Sequence, residues 1–309
     1  MSTWVHKKRV GVFRGGEPNS FSHSMKSGSA ILSALKRRED LEVLDVNISP
    51  QGEWLMWGMK RNPGEILSQM DQAVVTLRDQ YGEGGQLQQL LDQYGVRYHS
   101  SNSLASALAF NKALAKDTVR KNLGIRTPQH LHISSDEEDL HKIIRVLNTL
   151  FLPAYVVKPL KGNCTQGFYY AEDNSALAKV LEQAFQMYDD VLVEQYIGGA
   201  DATCILIDGF RNQFPYTTPV IEVLNPSKYV TPATFNREVK SEIETMLRDV
   251  HDSLGLRGLS KADFRVTPAG EVFFLEVNSI PDFSAEGVLS SALLSVGSSH
   301  SELVDFLIS

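Results

Sequence analysis

Apolar positions in the first part of the chain come in two rhythms. RVGVFRGG, LEVLDVNI and DQAVVTL are short apolar runs of strand length, whereas SHSMKSGSAILSALKR repeats its apolar residues at helical spacing. Strands alternating with helices predict a parallel sheet with covering helices. Gly15 and Gly16 end the first strand just before a helix, a frequent place for anionic ligands, although tight turns use the same residues. A second glycine-rich turn, Gly82 to Gly85 in QYGEGGQLQQLLDQYG, precedes another helix.

From about Ser101 the pattern changes. LASALAFNKALAKDTVRKNLG predicts one helix, broken by Pro128. LPAYVVKPLKGNCTQGFYY reads as strand, loop, strand: Lys158 stands at the strand end, and the polar loop from Leu160 to Gly167 carries backbone N–H groups suited to a phosphate. The helix SALAKVLEQAF, the strand VLVEQYI, the turn GGADATCILIDG and the long helix in FNREVKSEIETMLRDVHDSLG follow. Boundaries near residues 105 and 198 divide the chain into 1–105, 106–198 and 199–309. The expected class is α/β, and α+β over the whole chain.

Near the C-terminus, LSKADFRV and FFLEV flank the turn signal Pro268-Ala269-Gly270, which predicts a hairpin. With Ala269 and Gly270 as the loop, Pro268 pairs with Glu271; counting back sets Asp263 opposite Glu276 and Lys261 opposite Asn278, all on one face. Two carboxylates directly across a strand pair repel, and desolvating them unpaired is costly. A bound cation removes the conflict, and Asp, Glu and Asn oxygens are hard donors suited to Mg²⁺ held together with phosphates. The plainer reading is an exposed face whose acids are solvated or paired with Lys261 and Arg265, and a bulged turn would shift the register by one.

Length and composition narrow the function classes. At 309 residues the chain is long enough for two or three domains, and 42% hydrophobic with 22% charged residues is ordinary for a globular protein. No stretch reaches the length of a membrane span, and MSTWVHKKRVGVF lacks the apolar core of a signal peptide, so a cytoplasmic location and no membrane partner are expected. Cys164 and Cys204 form neither a disulfide framework nor a zinc spacing. A formal charge of −7 argues against a nucleic-acid partner. Anionic substrates must then be met by local lysines. Lys158 alone reads as a surface lysine and Glu194 alone as an edge residue. In order, however, the lysine strand, the glycine loop, the acid in VLVEQYI and the acidic hairpin form one nucleotide-and-metal apparatus that points to ATP.

The stretches GVFRGG with SMKSGSAILSAL, YGEGGQLQQLLDQYGVRY, SALAFNKALAKDTVRKNLGIRTP, VVKPLKGNCTQG, VLVEQYIGGAD, LGLRGLSKADF and LEVNSIPDF cover almost the whole chain and resemble the ATP-grasp superfamily, within it the D-alanine–D-alanine ligase family. The resemblance implies a three-domain ATP-grasp architecture: a Rossmann-like N-terminal domain with a parallel sheet over 1–105, a central ATP-grasp subdomain over 106–198, and a C-terminal subdomain with the metal hairpin over 199–309. It implies ATP and Mg²⁺ as cofactors. Lys112 and Lys158 would meet the phosphates; Glu194, Gln195, Tyr196, Ile197 and Leu275 would surround the base; and Asp201 would meet the ribose where the family usually has a glutamate. Asp263, Glu276 and Asn278 fall on the metal ligands. Lys228 and Tyr229 resemble a Lys-Tyr pair in which Lys contacts phosphate and Tyr belongs to a lid. Only Val230 and Thr231 separate Tyr229 from Pro232, so the lid is shorter than usual.

The resemblance further implies phosphorylation of a carboxylate by ATP, then attack of an amine on the acyl phosphate, in the service of peptidoglycan and cell-wall building, with D-alanine as substrate and a homodimer as the assembly. The substrate-facing positions depart from the family. Ser20 stands where an acid grips the first substrate's ammonium, with Glu17 nearby; Arg78 stands for a histidine and Cys164 for the serine of the glycine loop. Lys261 replaces the oxyanion arginine, Asp282 its companion glycine, and Gly287 the serine that holds the second substrate's carboxylate. Ser20, Cys164, Tyr229 and Lys261 are thus catalytic candidates. Their bland counterparts are a helix-cap or turn serine, a small loop filler, a packed aromatic, and a salt bridge to Asp263. The departures favour a relative joining another carboxylate and amine, and the short lid favours a catalytically weak nucleotide-binding relative.

Overall fold

The computed structural model describes residues 7–309 apart from 138, 163–166 and 226–227. The first third runs β1 (Lys8–Gly15), α1 (Pro18–Leu35), β2 (Leu41–Ile48), β3 (Trp54–Met56), β4 (Met59–Lys60), α2 (Pro63–Leu67), β5 (Gln72–Val75), α3 (Gln86–Gln93) and β6 (Arg97–Tyr98). The sheet order is β4-β3-β2-β1-β5-β6, with β2, β1, β5 and β6 parallel and β3 and β4 an antiparallel edge. The turn after β1 needs glycine at Gly16: φ is +93°, and a Cβ there would lie 1.9 Å from Asp79 Oδ2. That close approach lets Asp79 accept from the N–H groups of Glu17, Tyr81 and Gly82, which ties the first glycine turn to the second.

The helix expected as one piece is two, α4 (Ser103–Phe110) and α5 (Lys112–Leu123). Asn111 breaks it with extended backbone, and its side chain caps α5 by accepting from Leu114 N–H at 3.1 Å. The break places Lys112 at the start of a new helix, and Lys116 follows one turn later on the same side. The next elements are β7 (His130–Ser134), α6 (Leu140–Leu150), β8 (Tyr155–Pro159), β9 (Tyr169–Ala171), α7 (Asn174–Phe185) and β10 (Asp190–Gln195). Their strands form an antiparallel sheet, β7-β10-β8-β9.

The last third holds β11 (Ala200–Ile207), β12 (Tyr216–Thr217), β13 (Ile221–Asn225), β14 (Lys228–Val230), α8 (Arg237–Ser253), β15 (Leu259–Val266), β16 (Val272–Asn278), α9 (Val288–Ser295) and α10 (His300–Leu307). The sheet order is β14-β13-β11-β15-β16, with β12 beside β11. Three apolar cores hold these layers. One joins the first sheet to α9 and α10, a second packs α4, α5 and α8 on β15 and β16, and a third fills the space between the middle sheet and α6 and α7. Among the described residues no helix is long and apolar enough to cross a membrane.

The β15–β16 hairpin departs from its expected turn yet keeps the expected pairing at its far end. Thr267, not Pro268, meets Glu271: its N–H donates to Glu271 O at 3.0 Å, leaving a three-residue loop. Near the loop Val266 pairs with Val272 and Phe264 with Phe274, one residue out of the expected register. A bulge at Leu275 then restores it, so Asp263 faces Glu276 and Lys261 faces Asn278.

Candidate active site

Three deeply buried charges, Lys116 of α5, Lys158 of β8 and Glu194 of β10, meet at one point. Glu194, 3% exposed on β10, is held from both sides: Lys116 Nζ lies 2.8 Å from Oε1 and Lys158 Nζ 2.9 Å from Oε2. Burial pushes the Glu194 carboxyl up, but Lys116 and Lys158 overturn that and hold it at about 2. Lys116 also donates to the carbonyl of Leu275, the bulged residue of β16. Burial pulls its ammonium down to about 7 against the attraction of Glu194. Both lysines are buried with the carboxylate they share. Glu194 is thus committed to placing lysines.

Lys112 stands on the other flank. It donates to the Gly162 carbonyl at the edge of the glycine loop, and its Nζ is 4.0 Å from Glu276 Oε2. Burial lowers its pKa; Glu276 pulls it back up. Glu276 Oε2 and Asn278 Oδ1 are both buried without a hydrogen-bond partner among the described residues. Orphaned oxygens of this kind are costly unless something binds them. Asp263 accepts from the Lys261 ammonium at 2.6 Å through one oxygen, the salt bridge that the bland reading of Lys261 expects. Two carboxylates and an amide fit a Mg²⁺ whose remaining ligands come from phosphates and water. Among the described residues no three His, Cys, Asp or Glu side chains are grouped as metal ligands.

Beside the lysines lies a cleft lined by Pro128, Val156, Lys158, Phe168, Tyr169, Tyr170, Glu194, Gln195, Tyr196, Ile197, Arg265 and Leu275. Tyr170 and Tyr196 meet edge to face at 5.2 Å, and the Lys158 ammonium sits 5.8 Å over the Phe168 ring. The backbone N–H groups of Gln195 and Tyr196 are spent on Gln129 and Ala154 carbonyls. Asp201 lies 3.2 Å from Arg265.

The other sequence candidates are more dispersed. Lys228 is exposed and Tyr229 half-buried on β14, where Tyr229 pairs across to Val223 and packs against the first core. Burial, then Asp282, raises the Tyr229 pKa while Lys261 lowers it, so the phenol faces those groups. Ser20 sits in the first turn of α1, its N–H and hydroxyl both directed at Glu17 O, as a turn serine does. Cys164 lies outside the described residues. A serine, histidine and aspartate do meet elsewhere: His251 bonds Ser260 Oγ at 2.8 Å and Asp208 at 3.1 Å. Ser260 is 0% exposed, however, so the group is structural.

Two residues of the site were absent from the sequence candidates. Lys116 had a legible signal, four positions after Lys112 on a predicted helix. Glu83 had none beyond its place in the glycine turn YGEGG. It is 1% exposed, neither carboxyl oxygen accepts a hydrogen bond among the described residues, and burial pushes it up to about 7 against the pull of Arg78 and Lys112. It closes the space between the first domain and the hairpin.

A three-sheet fold with paired lysines facing an oxygen-donor hairpin is the ATP-grasp arrangement. Residues 119–309 match the family model for the D-ala D-ala ligase C-terminus. A D-alanine–D-alanine ligase of Pelotomaculum thermopropionicum is 30% identical over 97% of this chain and 95% of its own length, and one of Syntrophotalea carbinolica is 30% identical over the same shares. Among solved structures, the VanG D-Ala:D-Ser ligase of Enterococcus faecalis superposes with a TM-score of 0.84 at 22% identity, over 98% of this chain and 99% of its own. The Bacillus anthracis D-alanine–D-alanine ligase complexed with ATP gives 0.79 at 23% identity, over 97% and 95%. The chain belongs to the D-alanine–D-alanine ligase family.

Proposed function

We infer that this protein is an ATP-dependent ligase that joins a carboxylate to an amine through an acyl phosphate, forming a peptide bond. One observation carries the reading: the bulged hairpin turns Leu275 toward the base cleft and Glu276 toward Lys112, while Lys116 and Lys158 flank Glu194 between them. In this reading Lys112 and Lys158 hold the phosphates of ATP, and Gln195, Tyr196, Ile197 and Leu275 enclose the base. Asp201 meets the ribose, and Lys228 and Tyr229 close over the reacting groups. Asp263, Glu276 and Asn278 would hold Mg²⁺, which neutralises phosphate charge during transfer. The chain's own work is positioning: it brings a carboxylate oxygen to the γ-phosphorus as the bond to ADP breaks and ADP leaves, then an amine to the acyl carbon, with phosphate leaving and the amine nitrogen giving up a proton. Lys261, Ser20 and Cys164 are assigned to the acyl-transfer side, Lys261 as the cation nearest the developing oxyanion. We take the bodies as divided near residues 105 and 198, the protein as cytoplasmic, and the assembly as a homodimer, which sedimentation in solution checks.

The test is phosphate release from ATP and Mg²⁺ on addition of D-alanine, with the dipeptide identified by mass. Stimulation with dipeptide formation is expected; none at saturating D-alanine overturns D-alanine as substrate. A second reading, ligation of a different carboxylate and amine, is favoured by the substrate side: Gly287 offers no side chain, and Lys261 is already held by Asp263 at 2.6 Å. A panel of D- and L-amino acids separates the two. ATP binding with no turnover on any pair overturns both and leaves the nucleotide-binding relative.

A further inference from the structure

Arg78 stands three residues beyond β5, at the end of the first sheet that faces the hairpin, with its side chain 14% exposed. A guanidinium carries five N–H donors in a rigid fork and cannot discharge itself by losing a proton. This one is scarcely used. Its Nε is buried with no hydrogen-bond partner among the described residues, and its nearest carboxylate, Asp282 Oδ2, is 3.9 Å from Nη1, beyond hydrogen-bond range. Asp282 is fixed from behind: its Oδ1 accepts from Ser27 Oγ at 2.8 Å and from Ser284 N–H at 2.9 Å. It therefore orients Arg78 electrostatically without saturating the fork. Glu83 feels the Arg78 charge too, but lies beyond ion-pair distance and accepts nothing from it.

A buried fork placed but unfilled is built for a planar anion, and a carboxylate matches it with two parallel bonds. The position fits an amino acid better than a nucleotide. Arg78 and Asp282 are absent from the lining of the base cleft, whereas Asp282 acts on Tyr229, beside Lys261 and Asp263. The serine that the family resemblance gives to a substrate carboxylate is replaced by Gly287 in this chain, and the nearby cation assigned to the oxyanion is already paired. Gly287 has no side chain and gives its N–H to Ser284 O, and Lys261 is held by Asp263.

We propose that Arg78 receives the carboxylate of an amino-acid substrate, with Asp282 as its positioning residue, which makes Arg78 a specificity determinant of this ligase. The assignment deepens the ligase reading and rests on it, but its test is by binding and so is separate from turnover. Calorimetry with a non-hydrolysable ATP analogue and Mg²⁺ compares each member of a D- and L-amino-acid panel, D-alanine first, with its carboxamide. The wild type is expected to bind at least one acid about 30-fold more tightly than its amide, because the amide leaves the fork unpaired. Arg78→Gln is expected to bring the two within about threefold, and Arg78→Lys, which keeps the charge and loses the fork, to land between them. Asp282→Asn is expected to narrow the preference partially. Should Arg78→Gln not fold, the Arg78→Lys comparison decides alone. A wild type that binds no acid better than its amide, or a preference unchanged in Arg78→Lys and Arg78→Gln, overturns the proposal. An Arg78-dependent preference without phosphate release in any pair upholds it while removing the ligase reading.

Discussion

The two halves of the site are buried alike and satisfied very differently. On the nucleotide side, Glu194 has a lysine within 2.9 Å of each oxygen, and Lys116 adds a backbone carbonyl. Around the hairpin and the second glycine turn, Arg78, Glu83, Glu276 and Asn278 all keep buried polar atoms without hydrogen-bond partners among the described residues. The first half is a finished scaffold that holds its charges in place before any ligand arrives. The second leaves hydrogen-bonding capacity of buried atoms unfilled, and a bound ligand can fill it. Preorganised charge suits an invariant polyphosphate. Unfilled polar groups suit a ligand that is checked before it is joined.

The contrast breaks most visibly at Glu194. Replacing it with Gln leaves two buried lysines facing each other, and loss of one partner from a buried pair typically costs about 3–5 kcal/mol. Urea denaturation of the ligand-free protein should show that loss, whereas Arg78→Met should cost no more than about 1 kcal/mol or stabilise, since its charge is poorly paired already. Equal losses at both positions would erase the distinction between the halves.

Glu83 sharpens the same point through pH. Its folded pKa is raised from 4.5 to about 7, so the folded protein holds a proton that the unfolded chain has released between those values. The stabilisation is full below about 4.5 and is lost as pH climbs to about 7, by about 3 kcal/mol in total at 1.36 kcal/mol per unit. Glu83→Gln should therefore match the wild type near pH 4.5 and exceed its stability by up to that amount at pH 8. A difference independent of pH would mean that Glu83 is paired in solution.

Glu276→Gln tests whether an orphaned oxygen is a functional one. Turnover should fall about 100-fold, equivalent to about 2.7 kcal/mol, through weakened Mg²⁺ coordination, with stability lowered as well, because against burial Lys112, Lys158 and Lys261 hold the Glu276 carboxyl below its ordinary range. Activity equal to wild type moves the metal elsewhere.

How far the sequence reaches follows the same division. The facing of Asp263 and Glu276, and of Lys261 and Asn278, was legible from strand alternation, but the loop was read one residue too short, and the bulge at Leu275 cancelled that error before Asp263. The bulge also interrupts the alternation between Leu275, which lines the cleft, and Glu276, which lies by Lys112. Asn111 was read as helix interior because its neighbours are strong helix formers; its capping role depends on a chain direction that local propensity does not encode. Glu83 and Arg78 were legible as residues but not as buried charges, since burial arises only when the first sheet meets the loop after β16.

The smallest effect is expected at Asp201, on the exposed rim of the nucleotide half. Its ion pair with Arg265 spans 3.2 Å, but the carboxylate side chain is 46% exposed, so solvent screens it. Asp201→Ala should change stability by less than about 1 kcal/mol. If the rim acid meets the ribose, its loss should instead appear in the nucleotide: a wild-type preference for ATP over 2′-deoxy-ATP of about fivefold should collapse to about one, read as a ratio of kcat/KM values. A stability loss matching that at Glu194 would show the rim to be part of the buried scaffold. An intact ATP preference would leave Asp201 as a strand residue paired with Arg265, and the nucleotide half would then end at Leu275.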